Sequence, residues 1–407
     1  MALSASRPPY TASFDTRVAS TIAEAAHRVP AFARRLAAAG LRAEELADAA
    51  SLDRLPILTK DELLELQAAE PPFGGLLAAD AHVRRMFQSP GPLYEVELAE
   101  ADRWRMSPAL EAAGFGAGDV VLNTFGYHLS PAGAMFEEAA LALGATVVPA
   151  GVGSLELQAR ACRDLGVTAL VGVPSYLKAL LEKAEALGLE PAAWPLERAF
   201  VAAEPFPPSL RAWLEERIPV VREGYGTAEA GNLGYECDER DGLHVPDDAF
   251  VQVCDLTTGA ARWDGGEGQV VVTLFSTDYP LVRFGTGDLS AFRVDVCPCG
   301  RATPRLVGWL GRVGEAVKVR GMFLHPRQAQ AALADLPGLN AFRLVVDRVE
   351  HRDAMRCEVV ARDGTDGAGL STAVKERIRS ALRFDADVAL VEALEDGPVL
   401  VDGRRWE

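Results

Sequence analysis

The chain has 407 residues, 49% of them hydrophobic and 24% charged, with 58 Asp and Glu against 41 Lys and Arg. A chain of this length holds two or three packing units and buries its core without help from disulfides or metals. The formal net charge of −17 argues against a nucleic-acid partner and against an anionic membrane surface, since both select basic proteins. The basic residues are almost all Arg; the lysines are Lys60, Lys178, Lys183, Lys318 and Lys375. Cys162, Cys254 and Cys357 stand alone, whereas Cys297 and Cys299 flank one proline, a spacing that suits a metal better than a disulfide. The first residues lack an apolar stretch of signal-peptide length, and no run of about 18 apolar residues occurs, so the expected compartment is the cytoplasm.

In chain order, residues 16–50 read as helical, with Ala, Leu and Val at i, i+3, i+4 spacing. LPILTKDELLEL then marks a helix start, with Thr59 as N-cap and Asp61 and Glu62 in the first turn. From about 118 to 222, short β-rich runs (DVVLNTFG, GATVVPAG, VTALVGVP, RAFVAAEP, PVVREGYG) alternate with amphipathic helices. That alternation predicts a parallel, helix-covered sheet whose ligands sit beyond the carboxyl ends of its strands. Residues 245–295 carry short strands split by glycine-rich turns, which predicts an antiparallel or barrel-like unit. A last α+β segment, 313–407, sets FRLVVDRVE, RCEVVARDG and VALVEAL around the helix LSTAVKERIRSALR.

Four loop segments carry chemistry. In Glu223–Glu229, Gly224 and Gly226 allow close backbone approach to a flat ligand, Tyr225 can stack on a ring, and Thr227 offers a hydroxyl to phosphate. Glu229 is an oxygen ligand suited to Mg²⁺. Taken alone, this is also a plain glycine-rich turn. Arg283 to Asp288 ends in a carboxylate able to hold ribose hydroxyls, or in an Asx-type turn. Gly311-Arg312 with Lys318 to Gly321 forms the junction before the last segment, and Ala203-Glu204-Pro205 closes the fourth strand.

The order and spacing of these segments resemble the adenylate-forming (ANL) superfamily and, within it, the phenylacetate–CoA ligase-like family. The YG-x-[ST]-E segment is matched by Tyr225 to Glu229, the TGD motif by Thr286-Gly287-Asp288, and the C-x-CGR stretch by Cys297 to Arg301. The GxxCxxxxGLHV-like residues are matched by Tyr235 to Cys237 and Gly242 to Val245, and the junction by Gly311-Arg312 and Arg320-Gly321. The resemblance spans nearly the whole chain. It implies an α/β fold with a large N-terminal domain, 1–312, of helix-covered sheets plus a small barrel-like unit, and a small mobile α+β C-terminal domain, 313–407. It implies two half-reactions: a carboxylic acid attacks the α-phosphate of ATP to give an acyl-adenylate, then coenzyme A or another thiol takes the acyl group. By the same resemblance Tyr225 stacks on adenine, Thr227 and Glu229 attend the phosphates and Mg²⁺, and Asp288 and Arg312 hold ribose. Glu204, Pro205, Gly224 and Gly226 complete the nucleotide site. Phe125, Gly126, Tyr127 and Ala203, with Gly224, line a carboxylate pocket whose aromatic walls suit an aryl or arylacetic acid, or belong to the core. The sequence is compatible with a homodimer.

Two elements depart from the family pattern. The phosphate loop, roughly SSGTTGKP in the family, is here Phe87 to Tyr94, with one hydroxyl at Ser89 and two prolines lacking N–H donors. The catalytic Lys near the chain end is replaced by Arg404, a broad planar fork in place of a compact charge. Losing a transition-state charge contact of this kind costs about 2.7–4 kcal/mol, or 10²–10³ in rate. The hinge falls on Gly314. These departures set two readings side by side: an AMP-forming acyl- or aryl-acid–CoA ligase, and a non-adenylating relative that uses a preformed adenylate or thioester or only binds nucleotide. A dinucleotide-binding oxidoreductase and a serine hydrolase are excluded by the lack of G-x-G-x-x-G after the first strand and of a G-x-S-x-G elbow. Separately, Cys237, His244, Cys297 and Cys299 form a Cys₃His set suited to structural zinc if the fold brings their two loops together, and are reduced thiols otherwise.

Overall fold

In the computed structural model, residues 12–404 are described apart from 90–91, 101, 314–316, 320–321, 325 and 350–351. The chain divides into two compact units, one of residues 1–206 and 210–311, the other of 207–209 and 312–407. The expected hinge at Gly314 and the Arg320-Gly321 pair lie outside the described residues.

The expected single helical stretch near the start is broken into pieces. Helix Ala12–Arg28 gives way to Pro30–Ala38, because Pro30 cannot continue a helix but suits the first turn of a new one. Gly40, at φ +67°, then ends it. Helix Lys60–Ala69 starts where expected: Thr59 accepts from the Glu62 amide while the Glu62 carboxylate accepts from the Thr59 amide at 2.8 Å. Just before that cap, Leu58 bridges to Phe284, with Leu58 N–H on Arg283 O at 2.8 Å and Gly285 N–H on Leu58 O at 2.9 Å. The start of this helix is therefore pinned to the strand Phe284–Ser290.

The larger unit holds an eight-stranded sheet. Its parallel part runs Thr146–Pro149, Val120–Asn123, Ala169–Gly172, Arg198–Val201 and Val220–Thr227, and it continues antiparallel through Gly231–Tyr235, Leu243–His244 and Arg305–Leu306. Ala169–Gly172 is buried at every residue, as expected of a strand covered on both faces. The first parallel strand, Val120–Asn123, lies between the second and the third, so the loops leaving it and its neighbour diverge. A crevice opens at such a reversal, and Phe125 to Tyr127 sit there. A second sheet of this unit is antiparallel through Ala261–Arg262, Ala249–Cys254, Gly268–Leu274 and Phe284–Ser290. Its apolar side joins the N-terminal helices in one core that includes Ile22, Phe32, Leu52, Phe250, Val272 and Phe284.

The smaller unit pairs the long strands Leu339–Val349 and Arg352–Ala361, flanked in parallel by Leu400–Asp402 and Asp387–Leu390. Helix Gly367–Arg377, capped by Asp366, packs Leu370 and Val374 into its core. Among the described residues no helix is long and apolar enough to cross a membrane.

Thr59→Ala removes one half of the capping box at the helix that carries Lys60. It should lower stability by about 1 kcal/mol, read as a lower urea midpoint; an unchanged midpoint would show that the cap contributes nothing.

Candidate functional site

The segment Glu223 to Glu229 spans the end of strand Val220–Thr227 and the turn into Gly231–Tyr235. Its glycines answer first to the protein's own packing. A Cβ on Gly224 would stand 2.4 Å from Phe200 Cζ, and one on Gly226 would stand 2.4 Å from Gly231 O. Thr227 Oγ1 accepts from the Ala230 amide at 3.1 Å and closes the turn. Tyr225 is half-buried and reaches across to the second sheet, where its hydroxyl donates to Asp288 Oδ2 at 3.0 Å and lies 3.2 Å from Thr286 Oγ1. Trp309 Nε1–H donates to the other oxygen, Asp288 Oδ1, at 3.0 Å. The buried Asp288 is thus held from both sides, and the aromatic and carboxylate groups that the sequence places 63 residues apart meet at one spot.

Glu229 is deeply buried and bonded to Lys60, with Nζ 2.7 Å from Oε1. Burial opposes its ionisation, but the Lys60 charge and hydrogen bond outweigh that and hold its pKa below the usual carboxylate value. Glu95, on strand Tyr94–Leu98, is fully buried; burial and the charge of Glu229 push its pKa well above normal, opposed by Lys60 and Arg103. On the far side of the strand end, burial pushes Glu223 up to about 7, with Glu236 adding to the rise and Arg211, 3.1 Å away, opposing it.

The stretch in the place of a phosphate loop is a hairpin between strands Val83–Gln88 and Tyr94–Leu98. Ser89 is buried, and both its amide, at 2.8 Å, and its hydroxyl, at 3.3 Å, donate to Leu93 O. The hydroxyl is spent on closing the hairpin. The Pro90-Gly91 tip lies outside the described residues.

The expected pocket residues divide. Phe125 is committed to the core, stacked on Phe136 with centroids 4.4 Å apart and planes at 7°. Tyr127 is half-buried, and its hydroxyl accepts from Asn123 Nδ2 at 2.8 Å. A Cβ at Gly126 would meet nothing within 4 Å, so the open space of the crevice adjoins that residue. Ala203 sits at φ +74°, a left-handed conformation unfavourable for any residue with a Cβ. Glu204 Oε1 accepts from the Ser175 amide at 2.6 Å and so serves the start of helix Pro174–Ala186, while Pro205 is half-buried in the loop beyond.

Arg312 opens the smaller unit. Arg404 lies within that unit and is nearly buried: Nε is 2.8 Å from Asp402 Oδ1, Nη2 is 2.6 Å from Asp402 Oδ2, and Nη1 is 3.2 Å from Asp353 Oδ1. Its guanidinium is engaged with two carboxylates of its own unit.

The fold does bring the Cys and His residues together. Their ligand atoms all lie within 4.8 Å of one another. Cys237 Sγ and Cys297 Sγ are 3.6 Å apart, Cys299 Sγ is 3.3 Å from His244 Nε2, and His244 Nδ1 is 3.2 Å from Thr303 Oγ1. Burial, with the charges of Arg301 and Arg305, pushes His244 down to about 4, so its imidazole is neutral at neutral pH with Nε2 turned to the thiols.

Sequence reasoning did not place Lys60, Glu95 or Trp309 in the site. Lys60 had a signal, being one of five lysines in an Arg-rich chain and standing in the LPILTKDEL stretch. Glu95 and Trp309 had none, since burial and hydrogen bonding made across sheets leave no local pattern.

The AMP-binding enzyme family model matches residues 98–273. The phenylacetate–coenzyme A ligase of Thermus thermophilus is 30% identical over 376 residues, covering 89% of this chain and 81% of that protein. The ligase of the same name from Aromatoleum evansii is 28% identical, covering 91% and 85%. The crystal structure of 2-hydroxyisobutyryl-CoA ligase with 2-HIB-AMP and CoA superposes with a TM-score of 0.86 at 25% identity, covering 96% of this chain and 89% of that one. The amide bond synthetase McbA of Marinactinospora thermotolerans shares the fold, with a TM-score of 0.58 at 18% identity over 95% of this chain and 97% of that one. The α/β adenylate-forming fold is therefore that of this chain.

Ala203→Gly relieves the left-handed strain at the fourth strand end. It should raise stability by about 1 kcal/mol, read as a higher urea midpoint; a lower midpoint would mean that the site depends on the methyl group.

Proposed function

The chain belongs to the phenylacetate–coenzyme A ligase family of adenylate-forming enzymes, and from that premise we propose that it joins a small aryl or arylacetic acid to coenzyme A. The reaction is of the AMP-forming acid–thiol ligase type. The acid's carboxylate oxygen attacks the α-phosphorus of ATP and pyrophosphate leaves; the thiol sulfur then attacks the acyl carbon and AMP leaves. The observation that carries this reading is the Tyr225–Asp288–Trp309 network, in which a stacking ring and a ribose-binding carboxylate from two sheets are locked together. Tyr225 is assigned to adenine, Asp288 and Arg312 to ribose, and Thr227 to the phosphate end. Gly126, Tyr127 and Ala203 are assigned to the acid, with Phe125 bracing that wall from the core side. Arg404 stands where the family's adenylation lysine would be.

Magnesium does not fit Glu229 as this chain presents it. Oε1 is taken by Lys60, Oε2 is sealed from solvent, and a divalent ion beside an ammonium is repelled. A second reading, thioester formation from a preformed acyl-adenylate, is favoured by Ser89, whose hydroxyl is turned into its own hairpin, and by the engagement of Arg404 with Asp402 and Asp353.

The Cys237, His244, Cys297 and Cys299 cluster supports a structural zinc ion. With Zn–S and Zn–N bonds of about 2.3 and 2.0 Å, a tetrahedral site has ligand edges of about 3.5–3.8 Å. The observed 3.6 and 3.3 Å lie close to that range, and Thr303 orients the imidazole from behind. Three thiolates and one imidazole leave no open position, so the ion would tie the 237–244 and 297–299 segments together and take no part in catalysis.

Two measurements test these assignments. With a panel of aryl acids, CoA and ATP, the purified protein should give acyl-CoA and AMP in equal amounts; absence of acyl-CoA both from ATP and from a supplied acyl-adenylate overturns the ligase reading. Metal analysis of the purified chain should find about one zinc per chain, and a chelator should lower the denaturation midpoint; less than about half an equivalent removes the zinc assignment.

A further inference from the structure

At the proposed phosphate end of the site the more exposed member of the ion pair is the lysine. The Lys60 side chain keeps 18% of its surface exposed, whereas Glu229 beneath it keeps 4%. Of the two, the lysine side chain is the accessible member of the pair. The ammonium is held there from three directions. The Leu58–Phe284 bridge and the Thr59–Glu62 capping box fix the first turn of its helix, and Glu229 holds Nζ at 2.7 Å. Glu95, fully buried on the strand that follows the shortened hairpin, lies within electrostatic reach of the same group.

This arrangement suits one phosphate and fails three. An acyl-adenylate carries one negative charge and AMP two, while ATP carries about four and relies on a metal ion and a cradle of donors. Here Glu229 already offsets part of the Lys60 charge, Glu95 adds no further cation, and Ser89 spends its hydroxyl on Leu93. A magnesium ion has no solvent-facing oxygen of Glu229 to bind.

We propose that Lys60 is the resident cation of the phosphate end, standing in for both magnesium and the missing phosphate-loop lysine, and that the nucleotide this site is built for is a monophosphate: an acyl-adenylate or AMP. The proposal rests on the second reading above, thioester formation from a preformed acyl-adenylate, for where the phosphate lies. In thioester formation the thiol sulfur bonds to the acyl carbon, the carbon–oxygen bond to phosphate breaks, and AMP leaves with that electron pair while the thiol proton passes to water. Charge on the phosphate rises from −1 to −2 in this step, and a fixed ammonium favours the more highly charged state.

Calorimetric titration of the full chain with AMP and with ATP, each with magnesium and in magnesium-free buffer without chelator (so that any zinc is retained), tests the proposal. AMP should bind equally well in both buffers, within about twofold, and ATP with magnesium should bind no tighter than AMP. Lys60→Met should weaken AMP binding about tenfold or more, the range of a charged hydrogen bond, and make the remaining binding magnesium-dependent; Lys60→Arg should recover part of the loss. Loss of wild-type AMP binding without magnesium, ATP binding tenfold tighter than AMP, or wild-type affinity in Lys60→Met would each overturn the proposal. Thioester formation from a supplied acyl-adenylate and CoA, followed in the same magnesium-free buffer, separates the two ideas. If AMP binds as expected but no thioester forms, thioester formation from a preformed acyl-adenylate falls while the role of Lys60 stands.

Discussion

The buried ion pair between Lys60 and Glu229 is the constraint around which the site is arranged. A carboxylate removed from water at the turn after the fifth parallel strand is tolerable only when a charge partner and hydrogen bonds replace its hydration. That partner comes from a helix start 169 residues earlier in the chain, itself pinned to the strand that carries Asp288. One interaction thus ties together the N-terminal segment, the central sheet and the antiparallel sheet. Taking away either partner leaves an unpaired charge in the interior, a loss of about 3–5 kcal/mol, so the pair is required to be kept or lost as a unit.

The residues proposed to hold the nucleotide are themselves held by the protein's own groups. Asp288 receives hydrogen bonds from Tyr225 and Trp309, and Thr286 receives one from the Asp288 amide while donating to Val270 O. Such a carboxylate is oriented before any ligand arrives, which reduces the ordering that binding would otherwise require. The phosphate end is the opposite case. There Ser89 donates to Leu93 of its own hairpin and Glu229 is paired with an ammonium; in the smaller unit Arg404 is engaged with Asp402 and Asp353. Tyr225 and Asp288 thus meet across two sheets, whereas the stretch from Phe87 to Tyr94 carries two prolines without N–H donors and a serine bonded to its own hairpin. The Cys and His cluster gathers Cys237, His244, Cys297 and Cys299 from two segments of the chain, with their ligand atoms within 4.8 Å of one another.

Much of the fold was legible because its signals are local. The five β-rich runs became five parallel strands, and the Thr59–Glu62 pair became a capping box, since propensity and capping depend on neighbours a few residues away. Tyr225, Thr227, Glu229 and Asp288 stand out in the sequence for a similar reason: they lie in short contiguous motifs. The expected helical stretch through 50 broke at Pro30 and Gly40, although the apolar spacing runs on beyond both. Gly224 and Gly226 were recognised as necessary, but the reason differs from a bound ligand: Phe200 and Gly231 already occupy the space a side chain would need.

The sequence by itself determined the family and the parallel, helix-covered sheet. It also determined that two lysines of the adenylation chemistry are missing. Which groups touch was decided only by the tertiary structure. That Phe125 stacks into the core, that Glu204 serves a neighbouring helix and that Cys237 and His244 meet Cys297 and Cys299 are outcomes of long-range packing. The shortage of lysine is visible in the sequence, whereas the placement of Lys60 over Glu229 is not. Charge count is a property of composition, but a pair's energy depends on distance and on how much water lies between, and both are set when the chain folds.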